Sequence, residues 1–523
     1  MPSHRSSASA LRRGEIVTVT LSSMAPGGEA ISKDKGIALF VDRGAPGDIV
    51  DVELYDVRKD FAKGRVVAVR QPSSQRAEPP CKLFKVCGGC QWQHLSYVAQ
   101  LENKTSIVKQ AVKHIGRLDP AIVKSCIGAE QALFYRNKVQ FPVRNPQGSS
   151  RILAGYYKPD SHELVNIKHC PVQSQQLDRM LEVVKEVLEK YQVKAYDEKS
   201  GKGLLRHITA RESRASGEIL VTLVINKSSE KVPEFLFRAA EEIRAGDDKI
   251  VGVCVNFNSR PGNKILGDVT LPLSGQPYIE EVLTAKNEKM PERLKRGIKF
   301  RLSASSFFQV NTEQAVRLLE EVHQAVYSRS LAQDEADGCL KAQQTAERAP
   351  VIFDAYAGVG AIALFLAPGA AKVYAIEEHP AAVTDGRHNA ELNDMTNVDF
   401  RQGLVENELP RLIEEGVRPD IVVLDPPRKG LSREVVNTVL RLSPQKIVYV
   451  SCNPATLARD LRLLEIGMRD DDDNMAPYEE SQEDVGFAEE KKQSLGYKTI
   501  QIQPLDLFPQ TYHVESVAIL EKV

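Results

Sequence analysis

The sequence predicts a multidomain α/β protein: a small N-terminal β-barrel, an α+β middle region, and a C-terminal parallel sheet with helices on both faces. Three observations carry this. Short β-branched stretches crowd residues 15–71, hairpin-like pairs alternate with helices from about 130 to 305, and apolar runs alternate with helix-like segments after 350. A length of 523 residues accommodates about three domains of ordinary size.

The barrel comes first. Residues 15–21, 36–41, 49–57 and 64–70 are β-branched and partly alternating, with turns at Gly27-Gly28 and Ala45-Pro46-Gly47. Four or five strands in so short a span suit a closed barrel, which need not leave edges open. Barrels of this size serve as oligonucleotide binders or as structural caps. The expected domains are 11–71, 72–300 and 301–523. A polar, proline-rich connector at 71–80 leads into a cysteine cluster. Val98, Leu101, Ile107, Val108, Ala111 and Val112 then recur at three- and four-residue spacing, predicting a helix over 96–115 placed to pack on the C-terminal domain.

In the middle region, 206–211 and 218–226 flank a turn at Ala215-Ser216-Gly217, and 250–256 and 263–266 flank another. Farther on, 351–356, 372–376, 420–424 and 446–450 are nearly continuous apolar runs, as strands buried on both faces must be. Residues 498–503 and 515–520 complete the sheet as an antiparallel edge. Two stretches, near 331–349 and 469–494, read as inserts.

Composition excludes several classes. At 42% hydrophobic and 27% charged, the chain is neither fibrous nor wholly disordered. No run of 18 apolar residues occurs, so no membrane partner is expected; 351–367 is interrupted by Asp354 and two glycines. The net charge of −1 gives no global basic field. It hides an asymmetry, because 470–492 holds ten acids against two lysines while 71–140 holds ten basic residues against four acidic. Arg136 and Lys138 lie in that basic stretch, as phosphate contacts or as solvated surface.

Eight cysteines are too sparse for a disulfide scaffold. Three of them, Cys81, Cys87 and Cys90, crowd into ten residues, which favours a metal or redox site in a reducing compartment. A cytoplasmic location follows as the expectation. The Ser/Arg-rich residues 1–13 leave an organelle-targeting stub as the alternative.

The chemistry gathers at strand ends. The first parallel strand runs into Asp354-Ala-Tyr356-Ala-Gly358-Val-Gly360, where glycines let a ligand approach the backbone, and Glu377 closes the next strand, where an acid can accept ribose hydroxyls. Asp425-Pro-Pro-Arg428-Lys-Gly430 and Ser451-Cys452-Asn453-Pro454 end two further strands. A thiol, a base and oxygen-directed donors are what methylation of uracil C5 requires. C5 becomes nucleophilic only after a thiolate adds at C6, and its proton must leave before the thiolate can. Glu515 and His513, in Phe508-Pro509-Gln-Thr511-Tyr-His513-Val-Glu515, are the candidates for that base, an ordinary loop residue being the alternative for either.

Together with Phe308-Gln309-Val310-Asn311, these motifs resemble the RNA uracil-5-methyltransferases, over roughly residues 11–523 apart from the inserts. The resemblance implies S-adenosylmethionine as methyl donor and a class I (Rossmann-like) catalytic domain. It implies Cys452 as nucleophile and Glu515 as base. Gln309, Tyr356, Gly358, Gly360, Glu377 and Asp425 would form the cofactor site, and Arg428 would steady the uracil or its loop. Leu404 stands where relatives tend to carry a polar residue for adenine. Cys81, Cys87, Cys90 and Cys170 supply four thiolates, which suit zinc or an iron–sulfur cluster equally on ligand count. The cluster is similar to that of the ribosomal-RNA branch, which implies a [4Fe–4S] centre and an OB-like TRAM barrel. Cys126, Cys254 and Cys339 have no matching role. The expected partner is RNA, ribosomal RNA first and a tRNA T-loop uridine second, bound by a monomer that flips its target base outward. An RNA-binding factor with a vestigial site is the alternative of another class.

Overall fold

The computed structural model describes residues 11–228, 231–328, 348–467 and 496–523. The expectations for residues 331–347 and 469–494, and Cys339, lie outside the described residues. Among those described, no helix is long and apolar enough to cross a membrane.

The N-terminal sheet runs in the order Ile16–Thr20, Ile49–Val57, Phe61–Gln71, Ala38–Asp42, Ala30–Ser32, Ser23–Met24. Its two end strands are joined through Leu21 and Ser22, so the sheet curls back on itself around Val19, Leu39, Val41, Val50 and Val52. Trp92 enters the same buried cluster, and its indole Nε1 donates to the Gly28 carbonyl at 2.9 Å.

Ser96 caps the helix Tyr97–Ala111, its hydroxyl accepting from the Ala99 amide at 3.3 Å. Ala99 and Ile107 face the barrel core, whereas Val108 shares a cluster with Leu457 and Leu461 of the C-terminal domain. The helix therefore lies between the barrel and the C-terminal sheet.

The middle sheet has seven strands, with helices Gln175–Lys190 and Phe235–Gly246 over a core of Phe141, Leu181, Leu223 and Val255. Leu205–Glu212 and Ile219–Ile225 form the expected hairpin. The second expected hairpin is corrected. Ile250–Phe257 pairs antiparallel with Val269–Gly275, not with 263–266. The Asn258 side-chain amide donates to the carbonyls of Lys264 and Ile265 at 2.6 and 2.9 Å, and Asn256 donates to that of Gly267 at 3.1 Å. Those carbonyls are thus spent on a side-chain-braced loop. Ile219–Ile225 and Ile250–Phe257 run parallel, because helix Phe235–Gly246 provides the crossover between them.

The C-terminal sheet runs in the order Val398–Gln402, Lys372–Glu377, Val351–Ala355, Ile421–Leu424, Lys446–Ser451, Glu515–Lys522, Tyr497–Leu505. Its first five strands are parallel, and Glu515–Lys522 runs antiparallel to both of its neighbours, Lys446–Ser451 and Tyr497–Leu505. The final strand inserts between Lys446–Ser451 and Tyr497–Leu505, so it is internal. The expected boundary at 300 falls inside a hairpin of Tyr278–Leu283 with Ile298–Ser303. That hairpin buries Ile279, Leu283, Phe300 and Leu302 in one cluster with Ile352, Val373 and Val448, so it packs as part of the C-terminal domain.

Candidate active site

Every site residue expected in the C-terminal domain lies at the carboxyl ends of its parallel strands or beside them, where open α/β sheets bind ligands. Val351–Ala355 runs into a loop whose backbone turns left-handed three times, at Tyr356 (φ 69°), Gly358 (φ 56°) and Gly360 (φ 87°). A bulky aromatic residue adopts such a φ only where its surroundings impose it, and strain of this kind collects at ligand sites. At Gly360 close packing adds to the conformational demand, since a Cβ there would stand 2.5 Å from the Phe400 ring.

Phe308, Gln309, Tyr356, Gly358, Ile362 and Asp425 line a cleft. Glu377 does not line it. Its carboxylate accepts from the amides of Gly358 and His379 at 2.9 and 2.7 Å, bracing the glycine loop from the next strand. Leu404 follows the third strand and is 48% exposed. Asp354, which the sequence reading left without a role, is fully buried beneath the loop. Burial, then the Asp425 carboxyl, holds it well above the ordinary carboxylate range. Burial pushes Asp425 itself up to about 7. Acids held this way gain by ionising against a cation, which fits the sulfonium and ammonium of S-adenosylmethionine.

The candidate nucleophile and base meet through strand register. Ser451 pairs with Ser516 across antiparallel strands, so the next residue, Cys452, stands across from Glu515. Burial and the Glu515 carboxyl push the Cys452 thiol up to about 11, while Arg428 lowers it by charge and by a hydrogen bond. Glu515 is held well above the usual carboxylate range, first by burial and then by Asp425, with Arg428 opposing. Thiol, two carboxyls and guanidinium are therefore one electrostatic unit. His513 is pushed down to about 4 by burial and by Arg428, Lys104 and Arg136, which keeps it neutral.

Asn453 caps the helix Pro454–Ile466, and its side chain also donates to the Arg428 carbonyl at 3.0 Å. Asp460, one residue the sequence reading missed, fixes the Arg428 loop from below. It accepts from the Leu431 amide at 2.8 Å and the Tyr449 hydroxyl at 2.7 Å.

Cys81, Cys87, Cys90 and Cys170 come together in the middle domain. Burial pushes Cys90 up to about 12 and Cys170 up to about 11, and charge on each of the others is felt at Cys90. Among the described residues, no group of three His, Cys, Asp or Glu side chains converges as ligands of a single ion. Cys126 and Cys254 are buried in core clusters. Lys138 is half-buried, its ammonium pushed down to about 7 by burial and by Arg211 and Arg136.

A glycine-loop cleft thus opens at the first strand of the seven-stranded sheet, in a chain that also carries an N-terminal barrel. The family model for tRNA (uracil-5-)-methyltransferases matches residues 96–469, and the TRAM-domain model matches residues 10–67. The chain belongs to the tRNA (uracil-5-)-methyltransferase family. It is similar to an uncharacterized RNA methyltransferase of Bacillus cereus, 34% identical over 513 residues, and to another of Gloeobacter violaceus, 37% identical over 515. Each match covers 98% of both chains. The Pyrococcus abyssi tRNA (uracil-54, C5)-methyltransferase, solved with S-adenosyl-L-homocysteine, shares the fold at a TM-score of 0.67 and 23% identity, over 96% of this chain and 99% of that one.

Proposed function

We propose that this enzyme methylates C5 of a uridine in large-subunit ribosomal RNA, with Cys452 as nucleophile and Glu515 as the base that removes the C5 proton. The observation that carries the reading is the register placing Cys452 across from Glu515, with Arg428 on the thiol and Asp425 beside both. S-adenosylmethionine, when bound, supplies an electrophilic methyl group. Residues of the cleft, Gln309, Tyr356, Gly358 and Asp425, would hold it, and Asp354, Glu377 and Gly360 shape that wall.

The protein's own residues do the rest. Cys452 loses its proton to solvent and adds as the thiolate to uracil C6, turning C5 into a nucleophile. Arg428 lowers the cost of the thiolate. Once C5 carries the methyl group, Glu515 takes the C5 proton, the C5–C6 double bond re-forms, and the Cys452 sulfur leaves. A carboxyl held well above its ordinary range is a stronger base when ionised than a free one. His513, kept neutral among three cations, is left as a neighbour of the base.

The four-cysteine group supports a ribosomal-RNA substrate through its likeness to that branch. The same likeness supports a [4Fe–4S] cluster over zinc, since four thiolates suit either on ligand count. A tRNA uridine is the second reading, favoured by the fold shared with the archaeal tRNA enzyme. Transfer of labelled methyl groups to purified, unmodified ribosomal RNA and tRNA separates the two. Label in ribosomal 5-methyluridine is expected, and label confined to tRNA overturns the first reading.

A further inference from the structure

Cys452 and Glu515 lie at the ends of paired strands of one sheet, but the loop leading into Glu515 is held by other parts of the chain than the junction at Cys452. Cys452 sits at a junction made wholly within the C-terminal domain, between the strand Lys446–Ser451 and the helix Pro454–Ile466. Glu515 follows a loop, residues 506–514, that is gripped largely from outside that domain. On the helix Tyr97–Ala111, Gln100 and Lys104 stand one turn apart on one face. The Lys104 ammonium donates to Asp506 Oδ1 at 2.5 Å and to the Phe508 carbonyl at 3.2 Å, and both members of the ion pair are fully buried. Gln100 and Gln510 exchange two hydrogen bonds. Gln100 Nε2 donates to Gln510 Oε1 at 3.0 Å, and the Gln510 amide donates to Gln100 Oε1 at 2.9 Å.

The cysteine segment adds to the grip. The amides of Gln91 and Trp92, just after Cys90, both donate to the Gln510 carbonyl, at 3.1 and 3.0 Å. The Tyr135 hydroxyl donates to the Pro509 carbonyl at 3.0 Å. Gln510 itself is left-handed, at φ 71°. A non-glycine residue keeps that conformation only when its surroundings over-determine it, and here they do so through its side chain, amide and carbonyl together. From the C-terminal domain, Asn311 and Gln314 reach the carbonyls of Leu507 and Asp506.

We propose that Lys104 and Gln100 are positioning residues for Glu515, a clamp by which the helix Tyr97–Ala111 sets the base that ends the reaction while leaving the nucleophile untouched. The proposal rests on the assignment of Cys452 as nucleophile and Glu515 as base. Its consequence is a split between steps. Loosening the clamp leaves addition to C6 and methylation running but slows removal of the C5 proton, because displacing a catalytic group by about 1 Å costs up to about 10²-fold. The enzyme then accumulates as a covalent, methylated RNA adduct. A residue that merely supports the fold lowers all steps together and leaves no adduct.

The test uses the full chain with labelled S-adenosylmethionine and unmodified ribosomal RNA and tRNA transcripts. Turnover, denaturant-stable protein–RNA adduct and melting temperature are read for Lys104→Met, for Gln100→Leu and for the double variant Lys104→Met/Asp506→Asn. The double variant removes the lone buried charge that Lys104→Met leaves behind. Expected are a turnover reduced by about 10²-fold with labelled adduct accumulating, and a double variant that regains melting temperature but not turnover. Turnover that simply follows the folded fraction, with no adduct in any variant, overturns the clamp. Glu515→Gln run alongside keeps the two assignments apart. Adduct in that variant but none in the clamp variants overturns the clamp alone, and adduct in neither overturns the base assignment and the clamp with it.

Discussion

Replacing Glu515 by glutamine isolates the last step of the reaction. The side chain is fully buried, and burial together with Asp425 already disfavours its charge, so glutamine removes a costly ionisable group without changing shape. The fold is expected to hold, with a melting temperature no lower than the parent's. Cys452 keeps its contact with Arg428 and loses a neighbour that raises its pKa, so addition to C6 is not impaired. Glutamine cannot accept the C5 proton. A positioned general base contributes about 10²–10⁴ in rate, or about 2.7–5.4 kcal/mol of barrier, and all of it falls on elimination. Incubation with labelled S-adenosylmethionine and RNA, followed by denaturing electrophoresis and nuclease digestion, should show a shifted protein band carrying labelled, methylated uridine. A variant that turns over within a few-fold of the parent, or one that stalls without any adduct, refutes the assignment of Glu515 as the base.

Two further outcomes follow from the cofactor cleft. Gly360→Ala combines a left-handed φ of 87° with a Cβ 2.5 Å from Phe400; strain of about 1–2 kcal/mol and overpacking of about 1–3 kcal/mol should displace the loop and raise the KM for S-adenosylmethionine more than they lower kcat, as steady-state kinetics will read. Asp425, pushed up to about 7, is neutral below that pH and ionised above it. Affinity for the cationic cofactor, measured by calorimetry, should therefore weaken as pH falls through 7, approaching tenfold per pH unit, and Asp425→Asn should flatten that dependence. An unchanged affinity between pH 8 and pH 5.5 contradicts a role for that carboxylate.

The parallel sheet was legible because Val351–Ala355, Ile421–Leu424 and Lys446–Ser451 are covered on both faces and so are apolar along their length. Val398–Gln402 escaped notice, since an edge strand half in solvent carries Asp399, Arg401 and Gln402. Val269–Gly275 hid behind Pro272, which an edge strand tolerates and a sequence pattern reads as a break. Motif residues marked the ends of strands, and hence the site, but not who meets whom. Cys452 and Glu515 are brought together by antiparallel register. The Lys104–Asp506 pair joins residues 402 positions apart, and nothing in a polar helix marks which lysine is buried. Asp460 was equally silent, its importance lying in the loop it fixes.

The central claim is that Cys452 carries uridine C5 methylation of ribosomal RNA. It is tested most directly by supplying labelled S-adenosylmethionine and unmodified ribosomal RNA or tRNA to the parent and to Cys452→Ala, then identifying the labelled nucleoside. The account predicts label in 5-methyluridine of ribosomal RNA with the parent and none with Cys452→Ala, which retains cofactor binding. Undiminished labelling by Cys452→Ala, or label in any nucleoside other than 5-methyluridine, contradicts it.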